Sequence, residues 1–210
     1  MKIGILTREL TLDSKAKING IPTAYLNLLN NNFYPVFVNS NLILNNKNKE
    51  KLLKEISDIK GFILPGGNEI SEVDLFIIDY CYKNNIPLLG ICLGMQEIAY
   101  YFDNNTIKKI PNNKHFDPEQ AYVHNIKLKR KGYLHNLLQL NSINVNSKHR
   151  YHIKNNKNYV IEAKCDKVIE AIKVKNTKYI LGLQFHPETM LPYDSNSQTI
   201  IEDFLKICSN

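Results

Sequence analysis

The sequence has no long apolar run, and this absence excludes two classes of protein. A helix that spans a bilayer needs about 18–20 consecutive apolar residues, whereas the longest such run, IPLLGICLGM, covers only residues 86–95. The amino-terminal segment MKIGILTREL is interrupted by Arg8 and Glu9 before the apolar core of a secretion signal could form. We therefore expect a soluble, cytoplasmic protein.

Closely spaced cysteines are also missing. The four cysteines, at positions 81, 92, 165 and 208, form no C-x-x-C pair and no dense framework. Their spacing therefore implies neither disulfide bonds nor a zinc site. Cys81 shares an apolar helical face with Val73, Ile77 and Tyr80, which predicts a position in the core.

Basic clusters are absent as well, although the chain is basic overall. The 27 Lys and Arg residues exceed the 20 Asp and Glu residues and give a net charge of +7. The lysines are spread among asparagines, as in NNKNKEKLLK, so the pattern does not favour nucleic-acid binding. An anionic ligand or substrate remains open.

The order of the apolar segments predicts the fold. In the first half, strand patterns (KIGILT, YPVFV, GFIL, IPLLGI) alternate with helix patterns (IPTAYLNLLNNN, EKLLKEI, SEVDLFIIDYCYKNN). This alternation is typical of right-handed βαβ units, whose parallel sheet has helices on both faces. After about residue 115, strand patterns follow one another, and a last helix, TIIEDFLKIC, has Ser195 as its expected cap.

The chain has no internal repeat, linker or second core. We therefore expect one α/β domain over residues 1–210, with a central, mostly parallel sheet and extra antiparallel strands in the second half.

Cys92 stands between two glycines, in GICLG, where a strand pattern ends and a helix pattern begins. This G-x-nucleophile-x-G pattern is typical of a nucleophile elbow, a sharp strand-to-helix turn that exposes a reactive side chain. At the start of a helix the dipole favours the thiolate, and the Leu93 amide can donate to an oxyanion. A buried cysteine with incidental glycines explains the pentapeptide equally well.

Two other strand ends carry residues suited to the same chemistry. His186 and Glu188, in LQFHPE, are two residues apart in extended chain, so the carboxylate could orient the imidazole as a base. In PGG, residues 65–67, two glycines allow a backbone conformation that points amides into a cavity. A simple turn would suit PGG as well.

GICLGMQ, the PGG loop and LQFHPE together resemble the class I glutamine amidotransferase-like superfamily nearly end to end. The resemblance implies that Cys92 is the nucleophile, His186 the base and Glu188 its orienting group, with no metal or organic cofactor. It also implies further contacts around the reacting carbonyl: oxyanion-hole amides at Gly67 and Leu93, and glutamyl contacts at Gly66 and Gln96.

Two branches of this superfamily compete. Amidotransferase subunits release ammonia from glutamine for a synthase, whereas γ-glutamyl hydrolases cleave γ-glutamyl amides and release the amine. Leu93 counts against the hydrolases, many of which carry Arg there. The run from YVIEAKC to LQFHPE follows the hydrolase pattern, and VNSKHRY, residues 145–151, resembles the substrate segment N-S-x-H-x-Q, although Tyr151 disturbs the Gln match.

With no synthase pattern after the last helix, we expect a γ-glutamyl hydrolase that acts on a small molecule without an obligate synthase partner. A glutaminase subunit, a γ-glutamyl-aminobutyrate or γ-glutamyl peptide hydrolase, and a binding-only module are the alternatives.

The most specific expectation is an anionic leaving group. Arg8, Lys148 and Arg150 are expected to face one mouth together with Ser147 and His149, where charge-assisted hydrogen bonds would suit phosphates. The hydrolase branch includes activity on γ-glutamyl-CDP-amidate in bacterial capsule phosphoramidate synthesis, and the compact, Lys- and Asn-rich chain is similar to that group. Ordinary solvated surface charges are the alternative for each cation.

The remaining histidines stand outside these motifs. His124, in AYVHNIKL, is expected to have a structural role within a strand. His115, His135 and His152 show no partner in the sequence and are expected to lie at the surface or to pack.

Overall fold

The fold is a large β-sheet with helices packed on it. The computed structural model describes residues 1–30, 32–111 and 114–210. The elements of the first half are β1 (Lys2–Leu6), β2 (Arg8–Thr11), β3 (Lys17–Gly20), β4 (Tyr34–Val38), α1 (Asn46–Ile56), β5 (Ile59–Leu64), α2 (Glu72–Asn84), β6 (Leu88–Ile91) and α3 (Leu93–Phe102). The elements of the second half are β7 (Ile107–Lys109), β8 (Phe116–Asp117), β9 (His124–Leu128), α4 (Tyr133–Leu138), β10 (Ser142–Val145), β11 (Ser147–Lys148), β12 (Tyr151–Ile153), β13 (Tyr159–Cys165), β14 (Val168–Val174), β15 (Ile180–Leu183) and α5 (Ser195–Ser209).

Nine of the described strands form one sheet, in the order β10-β9-β13-β14-β15-β6-β5-β1-β4. The strands from β15 to β4 pair in parallel, and β14, β13, β9 and β10 continue the sheet in antiparallel pairs. The predicted α/β class is therefore confirmed, and the antiparallel strands expected in the second half extend the same sheet.

Two apolar cores lie on opposite faces of this sheet. Alternate residues of one strand belong to different cores, as in β5, where Ile63 contributes to one core and Phe62 and Leu64 to the other. This alternation follows from the two-residue repeat of a strand. β6 is buried along its whole length, as expected for a central strand, and Cys81 is 0% exposed in the core, as predicted.

The region after β1 differs from the prediction. The segment IPTAYLNLLNNN was expected to form an α-helix, but only Thr23–Leu28 is helical, as a 3-10 helix, and residue 31 lies outside the described residues. The antiparallel hairpin of β2 and β3 precedes it and was not predicted. Arg8, which directly follows the KIGILT pattern, begins β2.

The helix caps follow the sequence in one case and depart from it in another. Ser71, the first residue of the SEVDLFIIDYCYKNN pattern, caps α2 by accepting from the amides of Val73 and Asp74. The cap of α5 is Asp194, whose side chain accepts from the Ser197 amide, rather than Ser195. None of the helices in the described part of the chain is long and apolar enough to cross a membrane.

Candidate active site

Three adjacent parallel strands bring the sequence motifs together. β6 pairs with β5 on one side and with β15 on the other, so that Leu64 faces Gly90 and Leu183 faces Ile91. The chain leaves these strands at the same edge of the sheet, into the Pro65–Gly67 loop, Cys92 and the segment that leads to His186. Ligands of parallel α/β folds bind at this carboxyl edge.

Cys92 has the geometry of an elbow. Its backbone lies at φ 54° and ψ −102°, outside the regions that most residues adopt. Its amide donates to the Leu183 carbonyl at 2.7 Å, which holds the turn against β15. A Cβ on Gly90 would lie 2.7 Å from the Gly94 carbonyl, and one on Gly94 would collide with the Leu64 carbonyl oxygen. Both glycines are therefore required by close backbone contact.

The His186 ring is held by a carboxylate on one side and lies close enough to Cys92 for the two groups to interact electrostatically. His186 Nδ1 is 2.6 Å from Glu188 Oε1, so that Nε2 is the ring nitrogen not engaged by the carboxylate. The connection is a 3-10 turn over Pro187–Thr189, not the extended chain that the sequence suggested. Burial alone would lower the pKa of His186, but Glu188 and Cys92 outweigh it and raise this pKa to about 10.

The Pro65–Gly67 loop lies against both catalytic candidates. A Cβ on Gly66 would be 2.9 Å from His186 Cε1 and 3.5 Å from Cys92 Cβ. In the described chain no glycine has a positive φ, so the two glycines provide close approach and not the unusual backbone conformation that was expected. The Gly66 amide already donates to the Tyr25 hydroxyl at 2.8 Å, which leaves the Gly67 and Leu93 amides as the candidate oxyanion donors.

Arg8 lies beside this loop but is not free to bind a substrate. Its guanidinium forms an ion pair with Asp74 and a second one with Glu97 at 3.0 Å, and its side chain is 7% exposed. The expectation that Arg8 contacts an anionic leaving group is therefore not favoured, because two buried carboxyl groups already pair with its charge. Arg8 also donates to the carbonyls of Pro65, at 2.8 Å, and Gly66, at 3.3 Å. It thus fixes the loop that carries Gly67.

The pKa of Glu97 shows how this cluster accommodates two acidic groups. Burial raises the pKa of Glu97 well above its usual range, and Asp74 adds to this effect, while Arg8 opposes it. The rise favours the protonated form of Glu97 at neutral pH. Asp74 and Glu97 lie in helices and belong to no motif, so no pattern in the sequence indicates this cluster.

The segment expected to bind substrate divides into buried and exposed residues. Ser147 is 0% and His149 3% exposed, and Ser147 Oγ donates to the His115 carbonyl at 2.6 Å. Direct contact of these two side chains with a substrate does not fit, because both are enclosed and already engaged. Lys148 is half-buried, and Arg150 is exposed with its guanidinium 3.4 Å from the centroid of the Phe116 ring.

Asn146 connects this segment to His186. The His186 amide donates to Asn146 Oδ1 at 2.8 Å, and Asn146 Nδ2 donates to the His186 carbonyl at 3.0 Å. Gln96, expected near the glutamyl group, donates instead to the Tyr151 carbonyl at 3.4 Å and to Gln184 Oε1 at 3.3 Å. Asn146 was missed as a site residue although it stands in the N-S-x-H match, which was the available signal.

One cavity adjoins the candidate site, and a larger one lies elsewhere. A cavity of about 310 Å³ adjoins the loop at Gly66 and Gly67 and reaches the β2–β3 hairpin. Its wall includes Lys17, which pairs with Glu9 at 2.7 Å, so both cations there, Arg8 and Lys17, face carboxylates. A larger cavity of about 670 Å³ is lined by residues of β9 and β13 and by none of the predicted site residues.

Comparison with known proteins agrees with the motifs. A family model described as "Glutamine amidotransferase class-I" matches residues 22–208. The CTP synthase of Aquifex aeolicus is 27% identical over 206 residues, covering 81% of this chain and 38% of that protein. The CTP synthase of Rickettsia bellii is 27% identical over 195 residues, covering 73% and 35%. The chain thus spans little more than a third of the length of these relatives.

Two solved structures show the same fold. The glutaminase domain of Trypanosoma brucei CTPS with bound acivicin superposes with a TM-score of 0.73 at 15% identity, covering 99% of this chain and 93% of that one. A glutamine amidotransferase from Thermotoga maritima superposes with a TM-score of 0.65 at 12% identity, covering 99% and 96%.

We expect Arg8→Ala to destabilise the protein by roughly 3–5 kcal/mol, because it leaves buried carboxyl groups without their cation. Glu97 then loses the group that opposes the rise in its pKa. A carboxyl group whose pKa is raised in the folded state lowers the free energy of unfolding as the pH rises above the pKa that the group has in the unfolded chain. The stability lost in Arg8→Ala should therefore be larger at pH 8 than at pH 5. Urea unfolding at both pH values measures it.

The matched control is Lys2→Ala, which removes the cation of the exposed Lys2–Asp58 pair and should change stability little. Equal losses in the two variants would contradict the role given to Arg8.

Proposed function

Because the chain belongs to the class I glutamine amidotransferase family, we propose that it hydrolyses a γ-glutamyl amide through Cys92. The observation that carries this proposal is the position of the Cys92 thiol beside the His186–Glu188 pair, whose Nδ1–Oε1 distance is 2.6 Å. A nucleophile, a base and an orienting carboxylate within reach of one another form the arrangement that covalent acyl transfer requires.

The proposed reaction has two steps. The Cys92 thiolate attacks the γ-carbonyl carbon, and the amides of Gly67 and Leu93 stabilise the oxyanion. The His186 imidazolium gives its proton to the leaving nitrogen, the C–N bond breaks, and a γ-glutamyl thioester remains. His186 then takes a proton from water, hydroxide attacks the thioester, and glutamate leaves as Cys92 regains its thiolate.

The raised pKa of His186 supports this assignment. A pKa of about 10 keeps the imidazole protonated at neutral pH, so the ring can stabilise a thiolate and act as the acid that protonates the leaving group. Glu188 contributes most to this rise, which gives the carboxylate an electrostatic role besides orienting the ring.

For the substrate, we propose a γ-glutamyl conjugate with an anionic leaving group, of the γ-glutamyl-CDP-amidate type used in capsule phosphoramidate synthesis. Lys148 and the exposed Arg150 support this choice, because they lie on the segment that Asn146 joins to His186. A guanidinium there could bind phosphate oxygens in pairs. Arg8 makes no contribution, since its charge is already paired.

A second candidate is a glutaminase that supplies ammonia to a synthase. The relatives favour it, because they are named CTP synthase and this chain matches only about a third of their length. That relationship does not fit the expectation of a hydrolase without an obligate partner. The two candidates share the chemistry at Cys92 and differ in the leaving group.

We expect Cys92→Ala to reduce kcat by several powers of ten, because the thioester cannot form. Release of glutamate from a γ-glutamyl amide measures the loss, and circular dichroism checks the fold. Cys81→Ala is the matched control, since this cysteine is also buried but lies on α2, and it should retain activity. Undiminished turnover by Cys92→Ala would refute the mechanism.

A separate prediction concerns pH. As the pH rises through the His186 pKa of about 10, the proton needed by the leaving group is lost and kcat/KM should fall. Glu188→Gln removes the main group that raises this pKa, so the basic limb should move to lower pH by at least about one unit. A lower kcat with an unchanged basic limb would assign Glu188 a purely structural role.

The substrate is tested by comparing γ-glutamyl-CDP-amidate, γ-glutamyl-aminobutyrate, a γ-glutamyl peptide and glutamine at matched concentrations. We expect the nucleotide conjugate to have the highest kcat/KM, and the double reversal Lys148→Glu with Arg150→Glu to lower that value at least about tenfold. The double reversal Lys47→Glu with Lys54→Glu, at two exposed residues of α1, is the control for the same change in net charge. Strong activation of glutamine hydrolysis by a synthase would favour the second candidate instead.

A further inference from the structure

Three imidazoles surround one buried carboxylate away from Cys92. Glu170 lies on β14 and is 0% exposed. Its Oε1 atom is 3.1 Å from His115 Nδ1, 3.5 Å from His124 Nε2 and 3.6 Å from His149 Nε2. His115, which was expected to lie at the surface or to pack, is buried beside this carboxylate. Residues from four separate segments of the chain thus converge on one oxygen atom.

Hydrogen bonding does not account for these contacts. Over the described residues, both Glu170 oxygens, His115 Nδ1 and His149 Nε2 are buried without a partner in hydrogen-bond geometry. Their side chains are close together, but none of these contacts meets the geometry of a hydrogen bond. A buried carboxylate without hydrogen bonds is costly unless a cation lies beside it.

The tautomer of His149 also indicates that a cation lies beside Glu170. His149 Nδ1 is 2.9 Å from the Tyr151 carbonyl oxygen, and because a carbonyl only accepts, Nδ1 must carry the hydrogen. In the neutral ring, Nε2 then presents a lone pair to Glu170 Oε1 at 3.6 Å. Two acceptors face each other and need a positive charge between them. A metal-binding histidine commonly donates its other ring nitrogen to a carbonyl in this way.

The distances suit a metal ion. Ligand atoms at about 2.0–2.1 Å from a tetrahedral zinc ion lie roughly 3.3 Å from one another, and the His115 and His149 contacts with Glu170 are 3.1 and 3.6 Å. The ligand atoms of His115, His149 and Glu170 all lie within 4.8 Å of one another. Two imidazoles and a carboxylate favour zinc and similar transition metals over magnesium or calcium.

We propose that His115, His149 and Glu170 bind a divalent transition-metal ion of the zinc type, with His124 beside the fourth position. The ion joins the 115–117 and 146–151 segments to β14. The His115 carbonyl already accepts from the His149 amide at 3.0 Å and from Ser147 Oγ at 2.6 Å. The Tyr151 carbonyl that orients His149 also accepts from Gln96 of α3. The metal therefore positions the segment that holds His186 through Asn146 and takes no part in bond cleavage.

The test is metal binding by the tag-free full chain after chelator treatment. Calorimetry with zinc chloride, followed by elemental analysis of the dialysed protein, should give about one equivalent, and cobalt should give the absorption of a tetrahedral site. Excess metal at a hundredfold over Kd should raise the Tm by roughly 5–10 °C. The variants Glu170→Gln and His115→Gln should each weaken binding at least about tenfold.

Two controls locate the ion. His135→Gln changes a histidine of α4 outside the cluster and should leave binding unchanged. Cys92→Ala removes the thiol of the catalytic pair and should also leave binding unchanged. Wild-type protein that binds no metal would overturn the proposal. So would binding that is lost in Cys92→Ala and kept in both Glu170→Gln and His115→Gln, because the ion would then lie between Cys92 and His186.

Discussion

The parallel pairing of β6 with β5 and β15 is the constraint on which the candidate site depends. Because the three strands run in the same direction and in register, Leu64, Ile91 and Leu183 reach the same edge of the sheet. The turns that follow must then share a small space, and the glycines at positions 66, 90 and 94 make this possible. The strained backbone of Cys92 is held there by its hydrogen bond to Leu183, so sheet geometry determines where the thiol lies.

Two buried charge clusters support the loops at this edge. Arg8, Asp74 and Glu97 form the first, and Arg8 binds the carbonyls of Pro65 and Gly66 from within it. Glu170 with its histidines forms the second and lies against the segment that contains Asn146. Removing charges from water is costly, so each cluster is difficult to explain by stability alone. Their shared property is that each fixes a loop next to His186 or Cys92.

The fold followed from the sequence where hydrophobic patterning and burial agree. β13 (YVIEAKC) and β14 (VIEAIKV) fall in the part of the chain where strand patterns follow one another, because β-branched and other apolar residues are frequent in both segments. The segment after β1 was mispredicted, since its apolar residues fit a helical repeat but only Thr23–Leu28 forms a 3-10 helix. Local periodicity does not report the β2–β3 hairpin, whose strands alternate little between apolar and polar residues.

The sequence by itself determined the α/β class and the family, together with the candidate roles of Cys92, His186 and Glu188. Its elbow, loop and H-x-E motifs are local, and each turn is encoded by adjacent residues. Only the tertiary structure decided which charges are available. Arg8 is paired with Asp74 and Glu97. Ser147 and His149 are buried, and three histidines surround Glu170. Such pairings join residues up to 89 positions apart, and the charge of a side chain in sequence says nothing about the partner that folding places beside it.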